Sequence, residues 1–279
     1  MSFLQDSWLV GTSSGVFTAG EGGCERLGSY RFLVAAIHRT GERVLAATGS
    51  GLWEVTNGRW IQRHDETLTE VMDVVDEGDR MIAASAYGVA LGRTEASQAT
   101  RWDWLSDDLP VNQRFTNTIL KLDDDRILAG AEAGAAIHGA ESGWQVTSLQ
   151  NTAVRCLVRW NDRILAGADN GVWWSENGQD WHHSWQGAPV FGLAAAAGCL
   201  LTGTEDGVML SADAEQWRPA GLAGMRIGAV GVSRTDPDHW YAGGAPGGLW
   251  KTGDQGQTWV GIPEVNVGVA AITAPGEES

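Results

Sequence analysis

The chain is short of lysine, cysteine, basic charge and helical periodicity, and each shortage excludes something. Lys121 and Lys251 are its only lysines, and arginine supplies the rest of 19 basic residues against 35 acidic ones, a net charge of −16. That balance argues against nucleic acid, whose affinity comes largely from neutralised phosphates, and equally against an anionic membrane surface. It fits either plain solubility or a cationic partner or substrate. No segment approaches the length of a membrane-spanning helix. Met1 to Asp6 shows neither a basic stretch nor an apolar run of leader length, so a soluble cytoplasmic monomer is expected. Cys24, Cys156 and Cys199 are odd in number and far apart, without metal-type spacing. Free thiols are expected, with no metal and no cofactor. The six histidines form no ligand set. His182 and His183 are adjacent on an outer strand and so face opposite ways. No Ser-His-Asp set, phosphate loop or dinucleotide fingerprint stands out. No compositional break or linker divides the chain, so residues 1–279 read as one domain.

Glycine, by contrast, is abundant at 38 residues, and it keeps time. A glycine opens the second strand of a recurring unit at Gly15, Gly51, Gly88, Gly134, Gly171, Gly207 and Gly248, at intervals of 36, 37, 46, 37, 36 and 41 residues. A short hairpin turn there favours positive φ, which glycine supplies. A short apolar strand precedes each glycine, as in Trp8–Gly11, Ile164–Gly167 and Trp240–Gly243. A tryptophan follows the next turn in six units: Trp60, Trp102, Trp144, Trp181, Trp217 and Trp259. One per unit at regular spacing reads as a wedge between sheets, against the alternative of a sugar-binding row. Each unit also carries a run of small and β-branched residues, such as Val71–Val75 and Val190–Ala195. These runs lack 3.6-residue spacing and are continuous, as in strands buried on both faces. Seven units of four strands predict an all-β, seven-bladed β-propeller of antiparallel blades. The chain starts on a second strand, Trp8–Gly11, and ends on an unpaired first strand, Val267–Ile272. Their pairing would close the ring and hide two edges, leaving the tail after Ala274 frayed.

Thr252-x-Asp254-x-Gly256-x-Thr258-Trp259 matches the Asp-box pattern, and Ser175–Trp181 and Ser211–Trp217 are copies one residue short. The chain therefore resembles the bacterial-neuraminidase-repeat propellers, among them sialidases, other glycoside hydrolases, sortilin-type receptors and photosystem assembly factors. In that family the box is a structural turn away from the active centre, so the resemblance implies fold rather than chemistry. Sialidases of the family use three arginines, a Tyr–Glu nucleophile, an acid–base aspartate and an Arg-Ile-Pro segment. This sequence has no Arg-Ile-Pro, and Tyr241 occupies a core strand position.

Function should lie at the mouth formed by the blade-to-blade connections and the turns between second and third strands. Arg31, Arg155 and Arg226 each open a first strand there. Glu132, Asp169 and Glu205 fall at one register in three consecutive blades, either as ordinary polar turns or as a patch for a cation or amine. Tyr87 and Trp185 add aromatic contacts. Glu70, beside the apolar run Val71–Val75, is the candidate for a perturbed acid. The stretch Arg93–Arg114 exceeds the repeat and is a spacer or a lid. Two functions follow. One is a recognition or assembly scaffold that binds a small molecule, glycan or protein at the channel mouth. The other is a glycan hydrolase or lyase with Glu70 as acid or base and the arginines holding an anionic group. Carboxylates all tied to arginines would favour the scaffold.

Overall fold

The computed structural model describes residues 4, 6–20, 22–41, 43–56, 59–94 and 100–276. It is a ring of seven four-stranded antiparallel sheets. Blade 1 joins both ends of the chain: Val269–Thr273 is innermost, followed outward by Trp8–Thr12, Gly15–Gly20 and Gly23–Arg26. The innermost strands of blades 2 to 7 are Val34–Thr40, Val71–Asp76, Thr116–Lys121, Val154–Trp160, Val190–Ala196 and Ile227–Val232. Each contacts the next around the circle, and Val269–Thr273 touches Val34–Thr40 to complete it. Among the described residues the one helical element is a 3-10 turn at Val111–Gln113, and no helix is long and apolar enough to cross a membrane.

The continuous apolar runs have a simple cause. Every blade is sandwiched between two others, so both of its faces are buried. Seven hydrophobic clusters result, one at each blade-to-blade junction. The repeat tryptophans sit in these junctions. Trp102, Trp144 and Trp181 are buried, and a fully buried side chain of that size contributes about 3 kcal/mol. Four of the indole N–H groups also reach a carbonyl of the preceding blade or its exit: Trp60 to Leu27, Trp102 to Arg63, Trp144 to Leu105 and Trp259 to Ala220, at 2.8–3.2 Å. These tryptophans are staples between sheets.

Closure occurs where the sequence places it, two residues later than expected. Val10 pairs with Ile272 and Leu9 with Thr273. Arg39, in blade 2 and almost fully buried, donates to Ser7 O at 2.8 Å and Ala274 O at 3.0 Å, gripping both chain ends at once. Inner strands also start elsewhere than the apolar runs suggest, at Val34 rather than Phe32 and at Thr116 rather than Thr118. Apolar content extends beyond the paired segment in blade 2 and stops short of it in blade 4, where Thr116 and Asn117 are polar. Beyond Ala274, residues 275 and 276 form a turn, and 277–279 lie outside the described residues.

The turns Ser175–Trp181, Ser211–Trp217 and Thr252–Trp259 share one hydrogen-bond pattern on the face opposite the mouth. A hydroxyl at the first position accepts a backbone N–H three or four residues on: Gly178 N to Ser175, Ala214 N to Ser211 and Gly256 N to Thr252. The carboxylate or amide two residues later collects further N–H groups. In the third turn Thr258 Oγ1 and Thr252 Oγ1 also donate to Asp254, which pulls that carboxyl down to about 2. This is backbone capping, with no group left to react.

Candidate functional site at the channel mouth

One local irregularity repeats in all seven blades and builds the mouth. Where the innermost strand begins, its pairing slips by one residue, so the second residue is left out of the ladder. A β-bulge of this kind bends the strand and re-aims a side chain. The residues so presented are Ala35, Met72, Asn117 and Arg155 in blades 2 to 5, then Phe191, Gly228 and Ala270 in blades 6, 7 and 1. The ring is lopsided. Its large and polar members are consecutive, and glycine and alanine occupy the other side.

Above this ring, the turn between second and third strands is tied to the residue before the inner strand. Ser13 N donates to Gly268 O, Gly49 to Leu33, Glu132 to Phe115, Asp169 to Ala153, Glu205 to Pro189 and Ala245 to Arg226, at 2.8–3.2 Å. These bonds fix the turn tips over the mouth. They bring five of the residues expected at the site into one network across blades 4 to 7. Arg155 Nε donates to Asp169 Oδ1 at 2.8 Å, and its Nη1 lies 3.9 Å from Glu132. Glu132 also accepts from Asn117 Nδ2 at 3.0 Å. Arg226 lies 3.6 Å from Glu205. Phe191 joins the two halves, with the Arg226 guanidinium 4.2 Å and the Arg155 guanidinium 5.8 Å from its ring centre. Such cation–π contacts contribute about 0.5–1 kcal/mol each at exposed sites. The hydrogen bond that Arg155 donates to Asp169 raises the Arg155 pKa above its ordinary value.

Other expected residues fall outside this network. Arg31 is exposed at the entrance to blade 2 and makes no ion pair among the described residues. Glu70 is exposed, with φ at 51°, at the lip position that Leu33, Phe115 and Arg226 hold in other blades, and it also lacks an ion pair there. Tyr87 stands 59% exposed on the blade 3 turn, edge-on to Trp104. Trp185 is half-buried in the junction of blades 5 and 6. The long connection is tied to itself and to blade 4: Arg114 donates to Leu109 O and Asp107 O, and buried Gln113 donates to Gln150. Residues 95–99 of that stretch lie outside the described residues.

Below the bulge ring lies a cavity of about 200 Å³ on the axis, lined by inner strands of all seven blades. Its one carboxylate is Asp73. Asp73 Oδ2 accepts from Thr118 Oγ1 at 2.9 Å and Ile119 N at 3.0 Å, and Oδ1 accepts from Val74 N at 2.9 Å. The carboxylate thus satisfies an inner-edge N–H of blade 4 that would otherwise face the lumen. The Asp73 side chain is half-buried. Burial pushes its pKa up to about 6 against the lowering effect of these bonds. Beside it in the lumen, Cys156 is pushed up to about 12 by burial, which leaves it a neutral thiol rather than a nucleophile. Larger hollows lie off the axis, about 470 Å³ around Trp217 and about 700 Å³ around Trp250. They are flank grooves of one or two blades and share nothing with the arginine network.

Sequence reasoning missed Asp73, Asn117 and Phe191. A signal for the bulge ring exists: Ala35, Met72, Arg155 and Phe191 each stand 16 residues before the register glycines Gly51, Gly88, Gly171 and Gly207.

None of the family models and none of the curated proteins matches the chain. Solved structures share its fold. The extracellular domain of a hybrid two-component system from B. thetaiotaomicron aligns with TM-score 0.71 at 13% identity, covering 97% of this chain and 37% of that one. The GH74 xyloglucanase from Xanthomonas campestris aligns at 0.62 and 17% identity, covering 91% and 46%. YCF48 bound to D1 peptide aligns at 0.62 and 15% identity, covering 86% and 87%. This chain therefore spans less than half the length of the first two and nearly the whole of the third. At these identities the likeness defines a class, the seven-bladed propellers of four-stranded blades.

Proposed function

We propose that the chain is a recognition propeller that binds a segment of a partner protein at the mouth of blades 4 to 7, without chemistry of its own. The observation that carries this reading is the pairing of the mouth acids. Glu132 and Asp169 are matched to Arg155, and Glu205 to Arg226. Held in this way they are good directional contacts for backbone amides and polar side chains. Exposed Phe115 and Met225, at the entrances to blades 4 and 7, supply apolar area for an incoming segment. YCF48, a propeller of nearly the same extent, is known with a bound peptide, which is consistent with this use of the fold. Peptides selected on the wild-type protein by display should lose at least about tenfold in affinity on Arg155→Ala or Arg226→Ala, the loss of one good charged contact. Equal binding to both variants would reject the mouth as the site.

The second reading, a glycan hydrolase, draws on one observation, the raised Asp73 carboxyl. A glycosidase needs a second carboxylate roughly 5–10 Å away, and among the described residues the lumen wall offers none. Release of reducing sugar from xyloglucan or other glucans, abolished in Asp73→Asn, would establish this reading over the first.

A further inference from the structure

Asp73 has hydrogen bonds but no counter-ion. Its three donors are a hydroxyl and two backbone amides, all neutral. No ion pair reaches it among the described residues. The nearest basic group on the lumen wall, Arg155, spends its charge on Asp169 and Glu132 outside. A carboxylate facing a cavity without a cation is costly, and a cation in that cavity would offset the cost. The space beside it is shaped for one. The rest of the wall is apolar, with Ala36, Gly192, Ala229 and Ala271 beside the larger Leu157 and Leu193, and Met72 and Phe191 belong to the bulge ring. These apolar side chains suit an alkyl chain. The acidic balance of the protein, −16, raises the local concentration of any cation.

We propose that the channel lumen is a binding site for an alkylammonium group, its head on Asp73 and its carbon chain against the alanine and glycine wall. The group belongs either to a free small amine or to a lysine side chain of a partner, and both present the same chemistry to the pocket. One carboxylate and no further anionic ligand make a metal ion a poor occupant. The site lies below the arginine network and stands whether or not that network binds a protein segment.

Ligand-observed NMR with n-butylammonium, n-butanol, butyrate and N-acetyl-lysine methylamide at pH 7.5 tests this. Butylammonium should saturate the wild-type protein in the millimolar range, as befits so small a probe. Butanol and butyrate should not. Asp73→Asn should weaken butylammonium at least about tenfold, the worth of one charged contact. Because Asp73 also holds blade 3 to blade 4, a second variant leaves those bonds intact. Ala270→Phe, at an exposed wall position, fills the lumen and should abolish binding with an unchanged melting temperature. The other titratable groups on the lumen wall are the neutral Cys156 thiol and the paired Arg155, so affinity should fall as pH drops through the Asp73 titration. Equal affinity of the lysine derivative would favour a protein lysine as the natural occupant, and its exclusion a free amine. Failure of every amine to bind, or binding retained in both variants, would overturn the proposal.

Discussion

Replacing Asp73 by asparagine should change how stability depends on pH, and by a calculable amount. The carboxyl titrates near 6 in the folded chain against an ordinary 3.8. A folded-state pKa raised in this way contributes stability that is fully present below the unfolded value and is lost as pH rises through 6. Between pH 4.5 and 7.5 the linkage amounts to about 2 kcal/mol. Asparagine cannot titrate, so this contribution vanishes. It keeps an oxygen for Thr118 and Ile119 but turns an N–H toward the Val74 amide, which costs about 1–3 kcal/mol at every pH. That constant drops out when the variant is compared with itself across pH. Urea unfolding of both proteins at pH 4.5, 5.5, 6.5 and 7.5 therefore isolates the effect. The deficit of Asp73→Asn relative to wild type should shrink by about 2 kcal/mol from pH 4.5 to 7.5. Parallel curves would refute the argument and show that lumen water solvates the carboxylate as fully as bulk water does.

Three further outcomes follow from the packing. His38 is buried, its Nε2 accepts from Asp76 N at 3.2 Å, and burial with the Arg43 charge lowers its pKa to about 4. Its neutral form is required, so stability present above pH 6.5 should be lost as pH falls toward 4, by up to about 3 kcal/mol, and His38→Gln should flatten that acid limb in urea titrations. Arg39→Met strips the donors from Ser7 O and Ala274 O and should cost about 3 kcal/mol, a fall of roughly 5–10 °C in Tm by calorimetry. Gly171 holds φ at 119°, and a Cβ there would run into the Trp185 carbonyl oxygen, whereas Gly198 holds φ at 67° in open space. Gly171→Ala should therefore destabilise by well over the ~1 kcal/mol expected for Gly198→Ala, read from chemical denaturation.

The ring was legible because its causes are local and repeated. A glycine that must turn, a strand buried on both faces and a tryptophan that staples the preceding blade recur at a fixed period and can be read without coordinates. Closure was legible for the same reason, since Trp8–Thr12 lacks an inner neighbour and Val269–Thr273 lacks an outer one. The site was only half legible. Arg155, Arg226, Glu132, Asp169 and Glu205 stand out as charges at turn registers, and the structure gathers them. Whether they would face a ligand or one another depends on distances between blades, which no spacing encodes. Asp73 was hidden by its strand: one acid in an apolar run reads as an edge residue until the neighbouring blade supplies Thr118 and the Ile119 amide. Phe191 was hidden because a phenylalanine in a core strand has an ordinary explanation, and only the bulge aims it between two arginines. Glu70, next to a buried strand in sequence, stands at the exposed lip, a placement that only the start of the inner strand at Val71 decides.

The central claim is that recognition happens where the inner strands of blades 4 to 7 begin. Hydrogen–deuterium exchange of the protein with and without a display-selected peptide tests it most directly. Protection should appear in the segments 131–133, 153–156, 189–192 and 225–228. Protection confined to the opposite-face turns Ser211–Trp217 and Thr252–Trp259, or to outer strands such as His182–Gln186, would contradict it.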